Sequence, residues 1–250
     1  MPSATKDKLI LAATLAGLAL FQEINIFPAE QASAITKTVP QFAQYEGVEK
    51  KQAFFDWLKP IVENENALIQ NQRMRLLLLQ ADSNPSSSEL AWLAKLQQRY
   101  QYTPAEEITT QQIITKLLKR VNTVPVELAL TQAAIESAWG TSRFAQQANN
   151  LFGQWCYEPG CGLVPLRREP GKTHEVKRFA SVNESVRAYL LNLNAHSAYQ
   201  SLRNKRAALV KVDQPVTAAA LASTLNFYSQ RGNAYVQDLL RFLSKNKSLM

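Results

Sequence analysis

Gln132-Ala133-Ala134-Ile135-Glu136-Ser137-Ala138-Trp139-Gly140-Thr141-Ser142, followed by Asn149-Asn150-Leu151-Phe152-Gly153, is the stretch on which the reading of this chain turns. Pro125 suits the first position of a helix, and the pattern predicts one from there to about Ala138. Glu136 lies near its C-terminal end among apolar and small residues. A carboxyl group beside an indole and aliphatic groups has its charged form desolvated, which raises its pKa. The negative end of the helix dipole pushes the same way. Such a group holds its proton near neutral pH and can donate it to a leaving oxygen, as a general acid must. The competing reading is an acid on the solvent face of an ordinary helix, where most glutamates sit.

Outward from this stretch the signals stay helical. Thr103-Pro104-Ala105-Glu106 has the form of a capping box, and Ile113, Ile114, Leu117, Leu118 and Val121 make a helical stripe that Asn122-Thr123 ends. Ser181-Val182-Asn183-Glu184 is a second capping box, before a helix carrying Val186, Tyr189, Leu190 and Leu193. Further helices are expected at about 198–210, 216–227 and 233–245. Between them, Leu163-Val164-Pro165-Leu166, a turn at Pro170-Gly171 and Glu175-Val176-Lys177-Arg178-Phe179 predict a β-hairpin. Upstream, Phe54, Trp57, Leu58, Ile61 and Leu68 recur at helical steps over about Lys50 to Gln80, with Pro60 marking a first turn or a kink. A polar linker, Asp82 to Ser88, leads to a short amphipathic segment from Glu89 to Tyr100. The expected fold is mainly α: a helical domain over 101–250 with a small β-hairpin flap, preceded by a helical lead segment and linker over 35–100.

Composition narrows the function classes. The chain is 46% hydrophobic and 19% charged, too apolar for a disordered tail. Eight glycines in 250 residues argue against a turn-rich sandwich or barrel. Residues 1–100 carry ten basic and ten acidic side chains, whereas 101–250 carry eighteen and ten, the whole net charge of +8. A basic C-terminal part suits an acidic polymer: nucleic acid, anionic lipid or a cell-wall glycan. No groove-reading or base-stacking motif accompanies the charge, so nucleic acid is not the expected partner.

Lys6 and Lys8 precede an apolar run from Leu9 to Phe21, too short to span a bilayer comfortably but suited to a secretory signal. Ala32-Ser33-Ala34 has the small-x-small form of a cleavage site. Residues 1–34 are therefore read as a signal peptide or a short N-terminal anchor with possible membrane association. The protein is expected to be exported, either periplasmic or held at the outer face of the inner membrane. In that setting Cys156 and Cys161, which enclose Tyr157-Glu158-Pro159-Gly160, are read as a disulfide closing a tight loop. A metal site is the weaker alternative, because His174 and His196 match no zinc spacing.

The motifs around Glu136, together with Phe179, Ser185-Val186-Arg187-Ala188-Tyr189 and Tyr228-Ser229-Gln230-Arg231-Gly232 with Tyr235, resemble the lysozyme-like glucosaminidases of glycoside hydrolase family 73, in particular its Bax-type bacterial branch. The matching blocks cover roughly residues 120–245. The resemblance implies a helical cleft for a glycan of alternating N-acetylated sugars, with Glu136 as the acid and Tyr228 facing the scissile bond. It places Asn150 and Phe152 in the block lining the cleft, although a Phe there also reads as core, and Tyr228 also reads as a buried phenol. Trp139, Trp155 and Tyr157 are further candidate glycan contacts, the last two as stacking platforms or loop anchors.

Glycosidases commonly use a second carboxylate. Glu158, Glu169 and Glu175 are the candidates on the flap, and Glu175 is the choice because it begins a strand expected to lead back to the cleft. Substrate assistance, with the sugar's acetamide as nucleophile, would remove the need. Neither a Gly-x-Ser-x-Gly elbow nor a His-Glu-x-x-His pair is present. No metal and no cofactor is expected. The expected activity is endo-β-N-acetylglucosaminidase action on β-1,4 linkages of peptidoglycan strands. The alternatives are a lytic transglycosylase or a non-catalytic wall-binding module.

Overall fold

Helix α1 (Gly47–Ala81) runs for 35 residues and organises everything around it. Phe54, Phe55, Leu58, Ile61, Val62, Ile69, Leu76 and Leu79 are its buried apolar side chains, and it packs on three later helices. These are α3 (Thr110–Arg120), α4 (Val126–Glu136) and α6 (Val182–Ala195). The computed structural model describes residues 35–250, and the signal or anchor expected over 1–34 lies outside them. The described residues form one compact unit. The eight apolar side chains that α1 buries, at about 1.5–3 kcal/mol each, exceed the usual net stability of a domain.

The remaining helices are α2 (Ser87–Arg99), α5 (Arg143–Ala148), α7 (Gln200–Lys211), α8 (Ala218–Ala222) and α9 (Asn233–Asn246). Two capping boxes start helices, at Ser86 with Glu89 and at Thr109 with Gln112. The box expected at Thr103 is not a helix start, and Thr109 takes its place six residues later. Pro60 lies inside the continuous α1 rather than in a first turn. The helix expected over 216–227 is shorter, because Ser223 and Thr224 side chains turn back onto the Ala220 and Leu221 carbonyls and end α8 at Ala222.

The expected hairpin gains a third strand. β1 (Trp155–Cys156) and β2 (Gly162–Leu163) both pair antiparallel with β3 (Glu175–Lys177), which lies between them. The fold is thus mainly α with a small antiparallel sheet. Among the described residues no helix is long and apolar enough to cross a membrane.

Buried polar groups tie the elements together. Glu65 of α1 is buried and accepts from Arg187 at 2.8 Å and from Asn183 at 3.3 Å, both on α6. Asn183 in turn accepts from the backbone N–H of Thr36 at 2.9 Å, and the Thr36 carbonyl accepts from Val182. The fully buried Arg206 of α7 donates to the carbonyls of Lys119, Arg120, Asn122 and Thr123 and to Asn194 Oδ1. Arg73 of α1 adds bonds to Leu118 and Val121. Two guanidinium groups therefore satisfy the orphan carbonyls at the end of α3. Burial pushes the Arg206 guanidinium down to about 9, which leaves it charged at neutral pH.

Candidate active site

Helix α4 packs against α1, α8 and α9. That explains why Leu128, Ala129, Leu130, Thr131, Gln132, Ala133 and Ala134 are all buried: a helix enclosed all round needs no polar face. Glu136 is its last residue and only half-buried, so the carboxyl emerges where the cover ends.

The chain beyond Glu136 is held in a tight knot. Ser137 Oγ donates to the Ala133 carbonyl at 2.6 Å and accepts from the Gly140 N–H at 2.7 Å. The N–H groups of Trp139 and Ser142 bond back to Ala134 and Ser137. Ala138, Trp139 and Gly140 all have positive φ, which ends the helix two residues before the expected Ala138. The left-handed conformation costs about 1–2 kcal/mol for each non-glycine residue, and the surrounding bonds over-determine it. A Cβ on Gly140 would meet Phe42 Cδ2 at 2.9 Å, so this position has room only for glycine.

Four tyrosines from four different places surround the carboxyl. Tyr189 comes from α6, Tyr199 from the turn before α7, Tyr228 from the loop after α8 and Tyr235 from α9. Each phenol is raised by burial first and, among smaller causes, by the negative charge at Glu136. All four are therefore neutral hydrogen-bond donors at any physiological pH. Burial also raises the Glu136 carboxyl, and the Tyr235 hydroxyl beside it partly offsets this. The rings form a wall: Tyr228 and Tyr235 lie nearly parallel with centroids 5.5 Å apart, and Tyr189 stacks on Phe152 at 4.0 Å. Tyr228 donates to the Phe152 carbonyl at 3.3 Å. A Cβ on Gly153 would lie 3.9 Å from Glu136 Oε2, which puts the 150–154 turn directly against the acid.

The expected site residues divide into those that reach this place and those that serve it from behind. Asn150 is buried, and its side chain is fully used in folding the turn. Nδ2 donates to Gln154 and Lys177 carbonyls, and Oδ1 accepts from Phe152 and Gln154 N–H groups. Phe152 is core, stacked on Tyr189. Both shape the turn and present no free surface to a glycan, which corrects their expected role as contacts. Trp139 is corrected likewise: its left-handed backbone turns the indole inward onto Phe54, Phe55 and Phe242, at centroid distances of 5.8, 5.2 and 5.2 Å.

Glu175 is also corrected. Its two oxygens accept from the N–H groups of Gly160 at 3.0 Å and Gly162 at 2.8 Å, and these bonds hold its carboxyl below the usual range. It is 8% exposed and anchors the loop closed by the Cys156–Cys161 disulfide, which is present as expected. With both sulfurs in that bond, the cluster of Cys156, Cys161 and Glu175 is not a metal site. Glu158 and Glu169 are exposed on the flap. Trp155 and Tyr157 are 51% and 66% exposed, and Trp155 stacks on His174 at 4.1 Å. Phe227, 76% exposed beside Tyr228, is an aromatic that the sequence reading passes over. The sequence reading likewise assigns no role beside Glu136 to Gln132, Tyr189, Tyr199 or Tyr235. The four-residue step from Gln132 to Glu136 was the available signal, since it puts both on one face of a helix.

A buried helix that ends in one half-buried carboxyl, with tyrosines around it, is compatible with a glycan-cleaving hydrolase. The comparisons agree: the family described as mannosyl-glycoprotein endo-beta-N-acetylglucosaminidase matches residues 111–248, and the chain belongs to this glucosaminidase family. It is 37% identical over 219 residues to Protein bax of Escherichia coli (strain K12), covering 87% of this chain and 78% of that protein. No solved structure matches the chain significantly.

Proposed function

We propose that the protein is an exported endo-β-N-acetylglucosaminidase that hydrolyses β-1,4 linkages in peptidoglycan glycan strands, with Glu136 as general acid. The observation that carries this reading is the state of Glu136: half-buried, raised by burial, and faced by neutral phenols rather than by a cation that would hold it ionised. Such a carboxyl gives up its proton at a higher pH than a free glutamate does, and can donate it to the glycosidic oxygen while positive charge develops on the sugar ring. Tyr228, whose hydroxyl sits above the Phe152 carbonyl, orients the acetamido group or the attacking water. Trp155 and Tyr157 offer exposed faces for pyranose rings. The basic excess of residues 101–250 attracts the carboxylates of stem peptides. The disulfide and the apolar run at Leu9–Phe21 support a periplasmic location or attachment to the outer face of the inner membrane.

Glu136→Gln keeps the shape and removes the acid. The expected result on purified sacculi is a loss of sugar release of about 10²–10⁴-fold with thermal unfolding still cooperative. Activity within a few-fold of the wild type would overturn the assignment. One observation favours a second reading. With both oxygens of Glu175 committed to the flap, a lytic transglycosylase needing a single acid also fits the site. Mass spectrometry separates them: reducing N-acetylglucosamine ends support the hydrolase, and anhydro-muramic ends support the transglycosylase.

A further inference from the structure

We propose that Gln132 is a positioning residue for the acid: its buried side-chain amide aims the hydroxyl of Tyr235 at Glu136. This rests on the reading of Glu136 as the acid and deepens it. Gln132 lies one helical turn before Glu136 on α4 and is completely buried. Its Oε1 accepts from the Tyr189 hydroxyl at 2.7 Å, and its Nε2 donates to the Tyr235 oxygen at 2.9 Å. Both phenols are buried.

The direction of the chain follows from donor counting. A phenol has one proton, and an amide has a donating end and an accepting end that cannot be exchanged without turning the group over. With Nε2 against its oxygen, Tyr235 must send its proton elsewhere, and the carboxyl of Glu136, one turn along α4 from Gln132 and close enough to act on the phenol electrostatically, is the charged acceptor that draws it. Turned over, the amide would present Oε1 to Tyr235 and draw that proton away from the carboxylate. The two settings therefore suit two states of Glu136. The ionised carboxylate takes a bond from Tyr235 and fixes the setting described here. The protonated acid can donate to Tyr235, whose own proton then suits a turned-over amide. The titratable groups facing Glu136 are Tyr189, Tyr199, Tyr228 and Tyr235, and all four remain neutral, so the amide is the element that sets polarity.

The test uses the full-length protein with ¹³C-carboxyl-labelled glutamate, the Glu136 resonance being assigned by its loss in Glu136→Gln. Gln132→Met preserves the approximate volume and removes both ends of the amide. The expected result is that the proton affinity of Glu136 rises by about tenfold, the scale of one weakened charge-assisted hydrogen bond. Tyr235→Phe should raise it similarly, and the double variant should add little to either, because both act through one bond. An unchanged titration in Gln132→Met, or a double variant equal to the sum, would overturn the proposal. Should Gln132→Met not fold, the wild type still decides. Above the Glu136 titration, the Gln132 amide protons should show nuclear Overhauser contacts to the Tyr235 ring, and contacts to the Tyr189 ring instead would refute it. These readouts do not need turnover, so failure of the chain and failure of the assigned activity give different results. If activity is confirmed, Gln132→Met should displace the acidic and basic limbs of the kcat/KM profile while leaving KM within about twofold, since Gln132 touches no substrate.

Discussion

Adding one methyl group at Gly140 tests the knot that presents Glu136. Two separable costs act there. Gly140 has φ of +74°, and a left-handed alanine costs about 1–2 kcal/mol. The new Cβ would also sit 2.9 Å from Phe42 Cδ2 and 3.1 Å from Val39 Cγ1, and such overpacking costs about 1–3 kcal/mol. Phe42 cannot retreat freely, because it packs edge-on against Phe54 and Trp57 at 5.4 and 5.3 Å. Gly140→Ala should therefore lose about 2–5 kcal/mol in urea unfolding. Gly171→Ala is the control: φ is +81°, but nothing lies within 4 Å of the added Cβ, so only the conformational cost of about 1–2 kcal/mol applies. Combining Gly140→Ala with Phe42→Ala should then be milder than the sum of the two, because the cavity accepts the methyl. Equal losses for the two glycine variants, or strict additivity in the double variant, would refute the packing argument.

A fragment of residues 101–250 should show no cooperative unfolding by circular dichroism, since it lacks the eight buried apolar side chains of α1. Arg206→Met should cost about 3–5 kcal/mol in urea, leaving several carbonyls at the end of α3 without donors, and Arg206→Lys should recover only part of it. Glu136→Gln should be more stable than the wild type at pH 8. The folded state binds the Glu136 proton more tightly than the unfolded chain, so wild-type stability falls as pH rises from the ordinary glutamate range through the raised value. The advantage should vanish below pH 4, and a variant that melts no higher at pH 8 would contradict it. Glu175→Gln should speed amide exchange at Gly160 and Gly162 without changing the unfolding midpoint of the helical core, as read by NMR.

The helical character of the chain is legible because apolar residues recur at helical steps in α1, α3 and α6, and because capping chemistry is local. What is not legible is which helices share a core. Phe54 and Phe55 mark a buried face, yet nothing local says that Trp139, more than eighty residues on, completes it. The same gap holds at the site. Glu136 and Tyr228 stand out by motif, but whether Trp139, Asn150, Phe152 and Glu175 face the groove depends on backbone handedness and on bonds closed across the fold. The left-handed run at 138–140 points the indole inward, and two glycine N–H groups claim the Glu175 oxygens. The tyrosine wall is drawn from positions 189, 199, 228 and 235, and no spacing rule gathers those.

The stitches at Thr36, Lys37 and Pro40 also constrain how the N-terminus can be matured. Asn183 holds Thr36, Asn149 donates to the Lys37 carbonyl at 2.9 Å, and Gln146 donates to that of Pro40 at 2.9 Å. A peptidase cutting after Ala34 would leave all three in place. Trimming only seven residues further, to Gln41, would strand three side-chain amides at about 1 kcal/mol each and unseat the segment that leads Phe42 under Gly140. Any cut that removes Thr36 would therefore already break bonds to the folded unit, which begins one residue earlier at Ile35.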